Sequence, residues 1–586
     1  MSMRDLMGLS EFSPPRRLAA ESGFAGAGEY REHLGRSLAD PVGYWSRRAG
    51  ELKWSSEPRE ARDADGWFPG GEIDVVACCV GVLLDREGDR EDLIASGGEP
   101  SRSLSRTGLS RAIGSIAGRL DRLGLDDGDR VLLGMPPGPE LVACMLACLH
   151  RGLVAVPQDP RGGDAGLLDR RASSAACRGA ILLAVPEERA PGGGAAIEAL
   201  RFDAEWMEGG GDAPAPSPLS AMHPAVVLAD GAGRPCTIPL AGLLLQGIDA
   251  FTTLLAGRKG KGDRLWLQAL SHHASFSAAV FGALCSGGAL ALPGEPGGES
   301  GIELSTALAE RGCRAALLDA DAAEIRRREE PEAQSGEGRF EGLVLLEGDT
   351  VTPALYAWVR EKLLGGGAHV AQVISRPEAG GFVAGPHPGA LPVRPACAGP
   401  PAPGVPLEVV DHAGRRCADN VGGLAALSGP VPGLALELAG SELPIVLGMR
   451  ARRDRCGEIW AVGEARPPRA HGEEVSTVEI EALLAGLEGV ERVAVVRCEN
   501  GEGRRRVEAF VESSAGAGLE REIRRQVAER FGEQAVPQKI RVVEDLPVTR
   551  SGKLLRSVLR RVVAGELEGL DELADPKVVR GLIENE

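Results

Sequence analysis

The chain alternates two kinds of apolar pattern. "LSRAIGSIAGRLDRLGL" repeats its apolar residues at helical spacing, whereas "DDGDRVLLGM" holds a short continuous apolar run behind turn residues. The first pattern predicts an amphipathic helix and the second a buried strand. The next pair keeps the order. "PPGPELVACMLACLHRG" reads as a helix with prolines at its start, and "LVAVPQD" as a strand. A similar alternation recurs at "SFSAAVFGALCSGGALALPG" and "LSTALAERGCRAALLDA". Helices alternating with buried strands predict an α/β fold of parallel sheets covered by helices.

"EGGGDAPAPSPLS" (Glu208 to Ser220) and "RREEPEAQSGEGRFEG" (Arg327 to Gly342) are rich in Pro, Gly or charge and read as linkers or surface loops. Another Pro/Gly-rich zone, "GPHPGALPVRPACAGPPAPGVP", precedes "LEVVDHAGRRC", a strand-turn-strand pattern. The texture then changes near Gly463. "STVEIEALLAGLEGVERVAVVRCENGEGRRRVEAFVES" reads as helix, strand, hairpin, strand. "EREIRRQVAERFGE" is an amphipathic helix, "KIRVVEDLP" a strand, and "TRSGKLLRSVLRRVV" a turn opening a basic helix. The chain therefore divides into a large N-terminal domain, 1–463, and a small α+β C-terminal domain, 464–586.

Composition narrows the function. A net charge of -18 argues against a general nucleic-acid or anionic-membrane binder. No stretch offers the ~18 uninterrupted apolar residues of a membrane span, and the first residues lack a signal-peptide core. The twelve cysteines include no CxxC pair. Cys78–Cys79 and Cys144–Cys148 read as small core residues, and the expected compartment is the reducing cytosol. His272 and His273 are adjacent in "LSHHASF", with no Cys or Asp nearby in sequence, and read as ordinary polar residues rather than metal ligands.

Of 66 basic residues only seven are lysines, so Lys553 in the Ser-Gly-Lys turn invites a reason. "VPQKIRVVEDLPVTRSGKLLRSVLRR" resembles the C-terminal signature of the adenylate-forming superfamily, which includes acyl-CoA synthetases, luciferases and peptide-synthetase adenylation domains. At the other end, Tyr30, Ser37, Asp40, Pro41, Trp45, Trp54, Trp67, Phe68, Gly70 and Gly71 fall in the order of the opening of the AMP-forming acetyl-CoA synthetase branch. The segment 1–75 is read as that branch's N-terminal element.

The resemblance implies ATP, Mg2+ and CoA as cofactors. A carboxylate attacks the α-phosphate of ATP, and CoA then displaces AMP from the acyl-adenylate. Catalysis in such a reaction is positioning and charge stabilisation. By resemblance Lys553 matches the lysine that contacts the reacting oxygens, and its long mobile ammonium suits that task. Glu378, in "QVISRPEAGG", matches the acid that helps hold Mg2+, followed by Gly380 and Gly381. Gly231, Gly233 and Arg234 fit the phosphate loop, and Arg170 (or Arg171) falls where the branch has an arginine reaching the CoA 3′-phosphate.

Several positions depart from the pattern. Asp230 stands where the phosphate loop has a hydroxyl, Cys236 replaces its second lysine, and Thr237 the following glycine. Ser375 replaces the tryptophan that floors the acetate pocket, so a surviving pocket should not be limited to acetate. Met449 follows Gly448 where the ribose-binding aspartate is expected, and a thioether cannot hold two hydroxyls. At the hinge, Glu464 replaces arginine, and Pro467 and Pro468 stiffen the connection. Two readings follow. One is a homologue with a degenerate adenylation site, acting through a protein partner or as a scaffold, regulator or acyl/CoA-related binder. The other is an active ligase of a small carboxylic acid and CoA with a rebuilt ATP site. Neither calls for nucleic acid or membrane.

Overall fold

The computed structural model describes residues 11–564 except 65, 82–93, 97–102, 161–166, 184–197, 204, 209–217, 232, 294–300, 332–339, 349–350, 412, 465–476, 486, 488, 500–504, 514–517, 532–535 and 548–553, and beyond 564 only 577, 578 and 582. The N-terminal region holds two helix-flanked, mainly parallel sheets. In the first, Arg130–Gly134, Val154–Gln158, Gly179–Leu183 and Glu198–Phe202 run parallel, and an antiparallel hairpin of Pro224–Ala229 and Pro235–Pro239 forms one edge.

The second sheet has eight strands. Its centre is β1 (Arg264–Gln268), β2 (Ala289–Leu292), β3 (Cys313–Asp319), β4 (Leu343–Glu347) and β5 (His369–Arg376). They pair in the spatial order β5-β4-β3-β1-β2, all parallel. Both faces are covered, so these strands are continuous apolar runs such as "LVLLE" rather than alternating ones.

The predicted helices form where their patterns placed them. "ELVACMLACLH" lies in the fully buried helix Pro139–His150, which opens with Pro139 in its first turn, where a missing N–H costs no hydrogen bond. Cys78, Cys79, Cys144 and Cys148 are core residues there and in the neighbouring helix. Between the sheets, α1 (Leu240–Thr253) crosses α2 (Ala274–Cys285) at Gly247 and Gly282. A Cβ on Gly282 would lie 2.1 Å from the Gly247 carbonyl oxygen, so the backbones touch only because both residues lack one.

The N-terminal signature residues act as anchors. Asp40 caps the helix Pro41–Ala49 by accepting from the Gly43 N–H at 2.9 Å. Trp45 Nε1 donates to the Gly404 carbonyl at 2.8 Å, and the Gly404 N–H donates to Ser37 Oγ at 3.1 Å. Tyr44 donates to the buried Asp249 of α1 at 2.5 Å. The Trp45 and Ser37 bonds pin the segment to the Pro/Gly-rich zone 385–406. That zone is irregular yet mostly buried, so its prolines line a docking surface instead of a solvated linker.

Two expectations need correction, one for a loop and one for a strand. Arg327–Glu329 belong to the helix Ala320–Glu329, because Glu324 holds Arg327 and Arg328 across one turn. After the strand Leu407–Val410, the turn at Asp411–Arg415 returns only as a single bridge, Val410 to Arg416, and the next strand starts at Gly422. Most of Glu208–Ser220 lies outside the described residues.

The C-terminal unit has the predicted order. Strands Arg492–Glu499, Arg505–Glu512 and Lys539–Val543 form one sheet. Val493, Val495, Ala509 and Val511 face the helices Thr477–Leu484 and Leu519–Phe531, while Ala494, Val496 and Phe510 face the helix Arg556–Ala564. This period-two division is what a sheet covered on both faces requires.

Candidate functional site

The edge hairpin of the first sheet carries Gly231, Gly233 and Arg234. Leu228 pairs with Cys236 and Ala229 with Pro235, so the two strands leave only residues 230–234 for the turn. That turn is bonded to itself. The Asp230 N–H donates to the Arg234 carbonyl at 3.0 Å, and the Gly233 N–H to the Asp230 carbonyl at 2.9 Å. The Arg234 N–H donates to Asp230 Oδ1 at 2.8 Å. Arg234 Nε and Nη2 both reach Asp230 Oδ2 at 2.6 Å. A phosphate cradle needs N–H groups and cations aimed outward. Here three N–H groups and the guanidinium are engaged within the turn.

Acids gather at the same place. Glu378 follows β5 and is buried, and its carboxyl is pushed up from its ordinary value, chiefly by that burial. Its Oε2 has no hydrogen-bond partner among the described residues. A Cβ on Gly448 would lie 3.0 Å from Glu378 Oε1, which places the ribose-motif strand against this acid. The Cys236 thiol is pushed up to about 12 by burial and by the charges of Glu378, Asp230 and Glu437. Glu437 also accepts from the Thr237 N–H at 2.8 Å and from Thr237 Oγ1 at 2.5 Å. Three carboxylates therefore surround the positions where the resemblance implies polyphosphate. Glu378 alone suits a Mg2+ ligand, but the turn does not suit triphosphate.

The remaining site residues have local explanations. Gly380 has φ of 76°, and a Cβ there would stand 2.3 Å from the Gly433 carbonyl oxygen, so close backbone approach requires glycine. Gly381 begins the following strand beside Gln246. Met449 is fully buried in the strand Ile445–Arg453. On the helix Leu167–Ser174, Arg170 is exposed, whereas Arg171 is buried and donates to the Val227 carbonyl at 2.6 Å. Lys553, Pro467 and Pro468 lie outside the described residues.

The histidine expectation needs correction. His272 and His273 do diverge, their rings 5.0 Å apart at 87°. His273 nonetheless has acidic partners: its Nδ1 lies 3.3 Å from Glu347 Oε2 and 3.6 Å from Asp319 Oδ2. The acids come from the ends of β3 and β4, remote in sequence but adjacent in the sheet. Two apolar strands, "CRAALLD" and "LVLLE", each ending in an acid, were the signal for them.

Comparison with known proteins accords with this architecture. Three family models match: the acetyl-coenzyme A synthetase N-terminus over residues 30–79, the AMP-binding enzyme over 84–205, and the AMP-binding enzyme C-terminal domain over 479–553. Acetyl-coenzyme A synthetase 2 of Pseudomonas putida is 26% identical, with 95% of this chain and 96% of the relative covered. The acetyl-coenzyme A synthetase of Rubrobacter xylanophilus is 27% identical over 98% of each. Among solved structures, the acetoacetyl-CoA synthetase from Streptomyces lividans has a TM-score of 0.75 at 18% identity over 98% of each chain, a likeness of fold. The chain thus carries AMP-binding superfamily domains and is a homologue of the acetyl-CoA synthetases.

Proposed function

We propose that this chain is an acetyl-CoA synthetase-like protein whose adenylation site has lost most of its capacity for ATP. It acts as a scaffold, a regulator with a protein partner, or an acyl- or CoA-related binding protein. The observation that carries this reading is the closed turn, in which Asp230 holds Arg234 and uses the loop's own N–H groups. The buried Met449 at the ribose position supports it. Loss of one such transition-state contact costs roughly 2–4 kcal/mol, and several together leave little adenylation even though such losses are not additive.

A second reading is an active AMP-forming ligase of an unidentified carboxylic acid with a rebuilt ATP site. The Oε2 of Glu378, which has no hydrogen-bond partner among the described residues and suits a Mg2+ ligand, favours it. On either reading we place the domain boundary at 463/464 and assign Lys553 to the smaller domain. Carboxylate-dependent ATP–pyrophosphate exchange separates the two. The degenerate reading predicts no exchange above background across short, branched and aromatic acids. Exchange with any one acid, abolished by Lys553→Ala, establishes the ligase instead.

A further inference from the structure

We infer that His273, Asp319 and Glu347 form a binding site for a divalent transition metal, fitted best to Zn2+, at the C-terminal edge of the eight-stranded sheet. The fold builds this site from three adjacent strands. Asp319 is the last residue of β3 and Glu347 the last of β4, and the two are direct register partners in a parallel pair. Side chains of such partners leave the same face of the sheet. β1 lies on the other side of β3 and leads to the loop that ends in His273, the residue preceding α2. Loops at the C-terminal ends of parallel strands are where open α/β sheets place their ligands.

The distances fit a metal. His273 Nδ1 is 3.3 Å from Glu347 Oε2 and 3.6 Å from Asp319 Oδ2, and the three donor atoms all lie within 4.8 Å of one another. Zinc bonds of about 2.0–2.1 Å to nitrogen and oxygen set the edge of a tetrahedron at roughly 3.3–3.4 Å. Two of the three edges are therefore already near their bound length. The 3.6 Å approach of Asp319 is also too long for a hydrogen bond to the imidazole it faces.

The second oxygen of each acid is occupied. Asp319 Oδ1 accepts from the Ala322 N–H at 2.7 Å, capping the helix Ala320–Glu329. Glu347 Oε1 accepts from Ser375 Oγ at 2.7 Å. Outer bonds of this kind hold metal ligands in orientation and leave one oxygen of each acid to turn inward. Both carboxylates are 8% exposed, and His273 is 30% exposed, which opens the fourth position to solvent.

Charge favours the same assignment. A protonated imidazole would leave two buried carboxylates one positive charge short, whereas a dication with neutral His273 balances them. The nearby charges of Arg376 and Asp321 oppose one another. One imidazole with two carboxylates and no thiolate suits Zn2+ or Mn2+ better than a soft ion. None of its three donors belongs to the Asp230–Arg234 turn, although Ser375, which holds Glu347, stands at the position read above as the floor of the acyl pocket.

The test is calorimetric titration of the chelator-stripped full chain with Zn2+, and in parallel with Mn2+ and Mg2+. We expect one equivalent of Zn2+ bound more tightly than Mg2+. Asp319→Asn keeps a cap oxygen and Glu347→Gln keeps an acceptor for Ser375, and each should weaken Zn2+ at least tenfold. X-ray absorption on the zinc-loaded wild type should show only nitrogen and oxygen neighbours near 2.0 Å. It checks the donor set even if a variant fails to fold. No bound Zn2+, full affinity in both variants, or a sulfur neighbour near 2.3 Å would overturn the assignment.

Discussion

Arg234 Nε rests 2.6 Å from Asp230 Oδ2, and the same carboxylate receives the Arg234 backbone N–H through Oδ1 at 2.8 Å. The arginine that the resemblance leaves as the loop's cation is thus held by the residue that replaced a hydroxyl. Asp230→Ser removes the clamp and returns the hydroxyl. A charge-assisted hydrogen bond is worth about 1.5–3 kcal/mol. Affinity for Mg-pyrophosphate should therefore rise at least tenfold, measured by calorimetry. Unchanged affinity would show that the clamp is not what closes the site.

Met449→Asp tests the ribose position. The native side chain is fully buried, so a carboxylate there without ligand should destabilise the fold. AMP should recover part of that loss, because a ligand bound only to the native state stabilises it. Thermal melts with and without millimolar AMP read this directly. AMP should raise the midpoint of the variant and leave the wild type unmoved.

Glu378→Gln separates ligand from strain. Burial raises the Glu378 pKa above its ordinary 4.5. The native state then holds its proton more tightly than the unfolded chain, so this group's contribution to stability falls as pH rises through that window. The amide carries no such loss. At pH 7 the variant should melt higher than the wild type. The gain should vanish below pH 4.

His369 sets a sensitivity on the acid side. Burial, with a smaller contribution from Arg360, lowers its pKa to about 4, and its Nε2 has no hydrogen-bond partner among the described residues. Here the unfolded chain binds the proton more tightly, so the contribution is present above pH 6.5 and is lost as pH falls towards 4. His369→Leu should change the melting point little at pH 7.5 and raise it at pH 5. An equal shift at both values would contradict this origin.

The framework was legible because burial writes a period into sequence. "RVLLG" and "ELVACMLACLH" could be placed as strand and helix from their own residues, and Trp45 and Asp40 from their order. The site was less so. Asp230 stood out as the wrong charge, but its closure onto Arg234 depends on a five-residue turn set by the pairing of Leu228 with Cys236. The meeting of His273 with Asp319 and Glu347 depends on the spatial order of β1, β3 and β4, which no local pattern encodes. The Pro/Gly zone shows no helix or strand period, and its burial depends on what packs on it, as Trp45 does at Gly404.

Direct titration of the full chain with Mg-ATP, with AMP and CoA alongside, tests the central claim without any guess about the carboxylate. The closed, acid-lined turn predicts no ATP binding at millimolar concentration. Millimolar or tighter ATP binding, weakened by Arg234→Ala or Glu378→Gln, would contradict it and return the chain to the active ligases.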